Sequence, residues 1–161
     1  MRLSRLGSVG SAVSVLAISA LACLGCVKAG LEPPPEPPPS QVARDTVIEL
    51  DRSQCYGDCP VYRVTIFGDG NVVIDTTKAR RRENHIQQMD AIALADEIEQ
   101  RGFFDLQEQP ACASDKPRAK ITVKHHGKTK TLTHAIGCPP EEAEAVVTRI
   151  DTVARSDKWA W

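Results

Sequence analysis

Cys55–Gly70, CYGDCPVYRVTIFGDG, is the stretch that decides how this chain is read. After the Cys-x3-Cys-Pro opening, Val61 to Phe67 alternates apolar and polar residues, the pattern of a half-buried strand. Gly68-Asp69-Gly70 is a hairpin turn, and Asn71 to Thr76 is the returning strand. Register follows from loop length. A three-residue loop with Gly70 in the left-handed conformation pairs Phe67 with Asn71. It puts Tyr62, Val64, Ile66, Val72 and Ile74 on one face, whereas a two-residue loop splits that set between faces.

A weaker copy begins 57 positions later, at Cys112–Gly127, CASDKPRAKITVKHHG. Cys55 matches Cys112, Asp58 matches Asp115, Pro60 matches Pro117 and Gly70 matches Gly127. The echo is either a duplicated hairpin–helix unit or convergence on the same turn chemistry. Ala119 to Lys124 reads as a strand, His126-Gly127 as a tight turn and Thr129 to Ile136 as its return. Ile121 and Leu132 share a face only if that loop has two residues.

Working outward, Thr46–Asp51 is a short β-type run, and Ser53–Pro60 is a loop with Gly57 as its pivot. Lys78 to Glu83, with Arg80, Arg81 and Arg82, reads as an exposed, solvated loop. A helix is predicted from about Gln87 to Arg101, because Ala91, Leu94, Ala95 and Ile98 form one apolar stripe. Phe103, Phe104 and Leu106 then pack back towards the sheet. Pro139-Pro140-Glu141-Glu142 opens a last helix, with Ala143, Val146, Val147, Ile150 and Ala154 as its stripe; the tail ends in Trp159 and Trp161. The expected fold is α+β, an antiparallel sheet of about five strands with two helices on one face in the order βββα-ββα. It forms a single domain over residues 46–161. Ile66, Val64, Leu94, Ile98, Val123 and Val147 should be buried together.

The chain has 161 residues, a formal net charge of -1 and 42% apolar residues. That is enough to bury a core, and no basic excess points to nucleic acid. Aromatics make up only 4%, so aliphatic side chains must fill the interior.

The N-terminus sets the compartment. Arg2 and Arg5 precede an uncharged run from Leu6 to Gly25, the layout of an export signal; the alternatives are a single membrane-spanning helix and an ordinary signal peptide cut near Ala29. Gly25-Cys26 resembles the lipobox of bacterial lipoproteins, which implies lipid attachment at Cys26, with Cys23 after Ala22 as the alternative. Leu is absent three positions before either cysteine, a departure from the usual pattern. In a host with two membranes, Val27 after the cysteine resembles the outer-membrane sorting pattern. Residues 1–25 are thus the signal peptide, and 26–45 are the anchor cysteine and a linker. Its run Glu32–Ser40, EPPPEPPPS, favours a stiff polyproline II spacer, about 3.1 Å per residue.

Export makes disulfides the leading reading of Cys55, Cys59, Cys112 and Cys138. Four cysteines allow three pairings. The second hairpin brings Cys112 and Cys138 side by side, which favours Cys112–Cys138 and, with it, Cys55–Cys59. Cys-x3-Cys is a poor match to the Cys-x2-Cys of zinc ribbons, and no helix start follows it to lower a thiol pKa. His85, His125, His126 and His134 are expected as solvated or turn histidines, with a two-histidine metal site as the rival. Asp58, Asp69 and Asp115 are turn residues by position, as are Gly70 and Gly127. There is no nucleophile elbow, phosphate loop or His-Glu-x-x-His motif. No catalytic residue, metal or cofactor is expected.

The element Cys55-Tyr-Gly-Asp-Cys-Pro-Val-Tyr62, with Val64-Thr-Ile-Phe-Gly-Asp-Gly70, resembles a bacterial domain family of unknown function whose members often follow lipoprotein or secretory signals. Phe103-Phe104-Asp-Leu106, Asp115-Lys-Pro117, Ile121-Thr-Val123, Gly127-Lys128 and Gly137-Cys138 carry the resemblance from Val47 to Ile150. It implies no activity. The sequence therefore points to a lipid-anchored envelope protein whose disulfide-braced domain binds or scaffolds an envelope protein or glycan. A redox-active or metal-dependent envelope enzyme and a protease-inhibitor-like module are the alternatives.

Overall fold

The computed structural model describes residues 40–53, 55, 59–77, 81–110, 112, 113 and 115–158. The signal segment, both candidate anchor cysteines, the proline run, the Gly57–Asp58 turn, Arg80 and the two tryptophans lie outside the described residues.

Six antiparallel strands form one sheet in the order β4-β3-β2-β1-β5-β6. They are β1 (Val47–Arg52), β2 (Tyr62–Phe67), β3 (Asn71–Thr76), β4 (Arg82–His85), β5 (Arg118–His125) and β6 (Lys128–Ala135). Helix α2 (Gln88–Gln100) follows β4, and α3 (Glu141–Ala154) follows β6. The class is α+β, with both long helices on one face of the sheet.

β1 is the hinge of the pattern because it pairs on both sides. Leu50 lies between Val64 and Ile121, and Ile48 lies between Ile66 and Val123. These rows continue outward to Ile74, Val72 and Leu132. They are buried against Ala91, Leu94, Ala95 and Ile98 of α2 and against Ala143, Val146, Val147, Ile150 and Ala154 of α3. Alanines at four of those positions let the helix axes approach the strands closely, and side-chain volume then comes from the sheet. Phe103, in a short 3-10 turn after α2, closes the core and is fully buried.

Both hairpin registers follow from turn chemistry. Ile66 pairs with Val72 and Val64 with Ile74 across a three-residue loop in which Gly70 has φ +96°. A Cβ there would also lie 2.2 Å from the Ile86 carbonyl oxygen. The second loop has two residues, His126 at φ +47° and Gly127 at φ +75°, as a type I′ turn demands, so Ile121 faces Leu132.

Two differences from the sequence reading have physical causes, and one open alternative is resolved. Arg82 and Glu83 belong to a sixth strand and not to a loop. β4 is exposed at all four positions, so it carries no hydrophobic alternation; it forms because β3 otherwise leaves an unpaired edge. Gln41–Asp45, assigned to the linker, forms a short helix, α1, in which the Ser40 side chain accepts from the Ala43 amide and Ala43 is buried. The 57-residue echo also takes no repeated form. β2 and β5 run in the same direction on opposite sides of β1, with β3 and β6 outboard of them. With both helices on one face, the two hairpin–helix units are laid out in opposite hands, and no rotation superposes them. Shared turn chemistry accounts for the matched residues.

The face away from the helices is polar apart from Val47, Phe67 and Val73. Asp75, Arg63, Asp51 and Lys120 form a row of alternating charge across four strands, and Arg63 Nη2 lies 2.5 Å from Asp51 Oδ2. Thr122 and Thr131 share a hydrogen bond beside it.

Candidate functional site

Polar side chains gather at both ends of the helix-covered face. At one end, the alternation that buries Ala119, Ile121 and Val123 carries on to His125, the last residue of β5. Its ring is fully buried, so His125 is not the solvated turn histidine that its neighbour Gly127 suggests. Nδ1 lies 2.8 Å from Thr46 Oγ1, and Nε2 lies 2.7 Å from Asp96 Oδ1. Thr46, at the end of α1, donates its hydroxyl proton to the Val42 carbonyl oxygen at 2.8 Å. Asp96 projects from the flank of the α2 stripe, and its side chain is 41% exposed. His126 stays near the surface, its ring 3.8 Å from that of His125 and tilted by 32°. His126 Nδ1 is 3.2 Å from Glu99 Oε2, and Lys128 Nζ is 2.6 Å from Glu99 Oε1. Those two hydrogen bonds, Lys128 first, hold the Glu99 carboxyl below its usual range, while Glu99 raises the Lys128 ammonium.

A hydroxyl, an imidazole and a carboxylate in series invite comparison with a nucleophile relay. The comparison fails here. Thr46 is 1% exposed, and its proton is engaged by a backbone carbonyl, so no substrate reaches the oxygen. What the cluster does bring together is a pair of imidazoles and a carboxylate: one potential ligand atom each from Asp96, His125 and His126, all within 4.8 Å of one another, with Asp96 and His126 reaching solvent and His125 beneath them.

His134 does not meet this group. It pairs with Ala119, at the far end of the hairpin from His125. There it too is buried, with Nε2 3.0 Å from Glu144 Oε2, and Glu144 also accepts from the Gly137 amide. The pair ties the first turn of α3 to the end of β6.

The opposite end of the sheet holds a second cluster. Tyr62 donates its hydroxyl to Asp151 Oδ1 at 2.5 Å, and Ser156 Oγ donates to the same oxygen at 2.6 Å. Arg52 Nη1 reaches Asp151 Oδ2 at 3.1 Å and Tyr62 Oη at 3.2 Å. Burial, followed by the hydrogen bond to Asp151, pushes the Tyr62 phenol up to about 12. Beside this network, Arg52, Glu144, Asp151, Arg155 and Lys158 line an open groove of about 560 Å³.

The cysteines form two bonds, Cys55–Cys59 and Cys112–Cys138, each with Cα atoms 5.7 Å apart. Cys138 is 5% exposed and accepts a hydrogen bond from the Cys112 amide. The bond therefore fastens the segment that leads into β5 to the turn that leaves β6. Asp69 is a turn residue in fact, with its carboxylate accepting from the Asn71 amide. Asp115 also sits in a turn, and Asp58 lies outside the described residues.

With this geometry in hand, the comparison with known families is decisive at one level. The model for the domain of unknown function DUF6438 matches residues 46–154, from the residue before β1 to the last residue of α3. The chain belongs to that family. No curated protein matches it. Membership carries no activity across. Among the described residues, no helix is long and apolar enough to cross a membrane.

Sequence reasoning did not single out Asp96, Glu99, Thr46 or Asp151. Their partners His125, His126 and Tyr62 lie 27 to 89 residues away along the chain. The one signal available was parity: position 125 continues 119, 121 and 123 onto the buried face.

Proposed function

We propose that this is an exported lipoprotein, attached through Cys26, whose small disulfide-braced domain binds or scaffolds a component of the cell envelope and performs no chemistry on it. The observation that carries this reading is the pair of disulfides, which belongs to a domain matured in an oxidising compartment. The uncharged run ending in Gly25-Cys26 and the proline-rich spacer agree with it. The enclosure of the Thr46–His125–Asp96 chain speaks against nucleophilic catalysis there. More than one acyl chain would anchor the protein stably, where a single chain is marginal.

The test is fractionation of cells producing the wild type, Cys26→Ser and Cys23→Ser. The wild type should enter the detergent phase, and Cys26→Ser should be released or misprocessed. Loss of partitioning in Cys23→Ser alone moves the attachment point to Cys23. Unchanged partitioning and processing in both variants overturns the lipid anchor. Four alkylatable thiols among Cys55, Cys59, Cys112 and Cys138 in freshly exported protein would overturn the disulfide bracing.

A further inference from the structure

We propose that Asp96, His125 and His126 form a site for a divalent transition-metal ion of the zinc or cobalt class. The proposal does not depend on where the protein resides.

Proton bookkeeping around His125 is the starting point. The Val42 carbonyl can only accept, so the Thr46 hydroxyl proton is spent on it. Thr46 Oγ1 then meets His125 Nδ1 as an acceptor, and Nδ1 carries the hydrogen. That arrangement leaves Nε2 with its lone pair directed at Asp96 Oδ1, 2.7 Å away. At 2.7 Å the two atoms share a proton in a hydrogen bond; a metal ion takes that proton's place, with the exposed Asp96 drawing back to about 3.3 Å from Nε2.

The surroundings suit the metal. A ligating histidine characteristically donates its other ring N–H to an oxygen that fixes tautomer and orientation, and Thr46 does this for His125. Glu99 engages His126 in the same manner. Imidazole donors select zinc, cobalt, nickel and copper over calcium and magnesium, which prefer all-oxygen shells. Tetrahedral bonds of ~2.0–2.1 Å put ligand atoms about 3.3 Å apart. The three ligand atoms already lie within 4.8 Å. The remaining closure falls to the side chains that can move, since Asp96 is 41% and His126 48% exposed while His125 is held by the core. Three protein ligands at the rim of the fold leave a coordination position open to water, the pattern of an accessible site.

Cobalt(II) titration of the chelator-stripped, detergent-solubilised protein tests this, read by the visible absorption of the bound ion and by calorimetry. Stoichiometric uptake at one ion per chain is expected. Asp96→Asn and His126→Asn should each weaken it by about tenfold or more. Asn at 126 suits a type I′ turn, so that variant keeps the hairpin. Cooperative thermal unfolding checks that both variants are folded, and His85→Gln, on β4, should bind as the wild type does. Wild-type protein that takes up no cobalt at micromolar concentration overturns the proposal. So does binding that survives either substitution unchanged.

Discussion

A methyl group placed on Gly68 would lie 2.3 Å from the carbonyl oxygen of Ala43 and 2.7 Å from Thr46 Cβ. Gly68 is thus the floor on which α1 rests, and its amide donates to the Thr46 carbonyl at 2.8 Å. Thr46 in turn holds His125. Gly68→Ala should destabilise the domain by roughly 1–3 kcal/mol, the usual cost of forcing atoms into a packed contact. Urea denaturation would show a lower midpoint. A midpoint equal to that of the wild type would mean that α1 is not seated there.

Leu94 lies at the centre of the α2 stripe, 1% exposed, while Met89 in the first turn of the same helix is 74% exposed. Leu94→Ala should cost about 2–5 kcal/mol, and Met89→Ala should stay within about 0.5 kcal/mol of the wild type. The ratio of the two, from one denaturation series, checks the helix face directly. Equal costs would refute it.

The parts of the fold that could be read in advance are those where one physical signal dominates. Tyr62, Val64 and Ile66 alternate without interruption, and Gly68-Asp69-Gly70 permits one register. The helix stripes are equally plain, since Ala91, Leu94, Ala95 and Ile98 leave only one face to bury. β4 was illegible because Arg82-Glu-Asn-His85 buries nothing; its strand character belongs to the edge it pairs with. His125 was misjudged when its place beside a turn was weighed above its place in the alternation of β5. Asp96 could not have been found at all, because nothing near it in sequence says that β5 ends beneath it. The echo between Cys55–Gly70 and Cys112–Gly127 shows the converse hazard, similar local chemistry placed in mirror-related settings.

The Cys112–Cys138 bond closes a long loop, with a sequence separation of 26, and Cys55–Cys59 a short one of 4. In the chain-entropy view, closing loops of these sizes removes about 3.5 and about 2 kcal/mol of unfolded-state freedom. The double variant Cys112→Ala/Cys138→Ala should therefore lose roughly 2–4 kcal/mol, more than Cys55→Ala/Cys59→Ala. Peptide mapping without reduction should recover Cys55 linked to Cys59 and Cys112 linked to Cys138. A Cys55–Cys138 or Cys59–Cys112 crosslink would contradict the arrangement.

The Tyr62 phenol is the group whose ionisation should report on folding. It is 4% exposed and donates to Asp151 Oδ1, so losing its proton would bury a second negative charge beside the carboxylate. Burial and that hydrogen bond raise its folded-state pKa to about 12, against an ordinary value of 10.0. The sign follows. Below pH 10 the phenol is protonated in both states and its contribution to stability is present in full. Between about 10 and about 12 the unfolded chain loses the proton more readily than the folded one, so stability falls as pH rises through that window. Ultraviolet titration of the native protein should show one of its two tyrosines ionising only near pH 12. In denaturant both should ionise near 10. Tyr62→Phe should abolish the late step and flatten the alkaline decline in stability. A native protein in which both phenols titrate near 10 would mean that the Tyr62–Asp151 bond does not hold in solution.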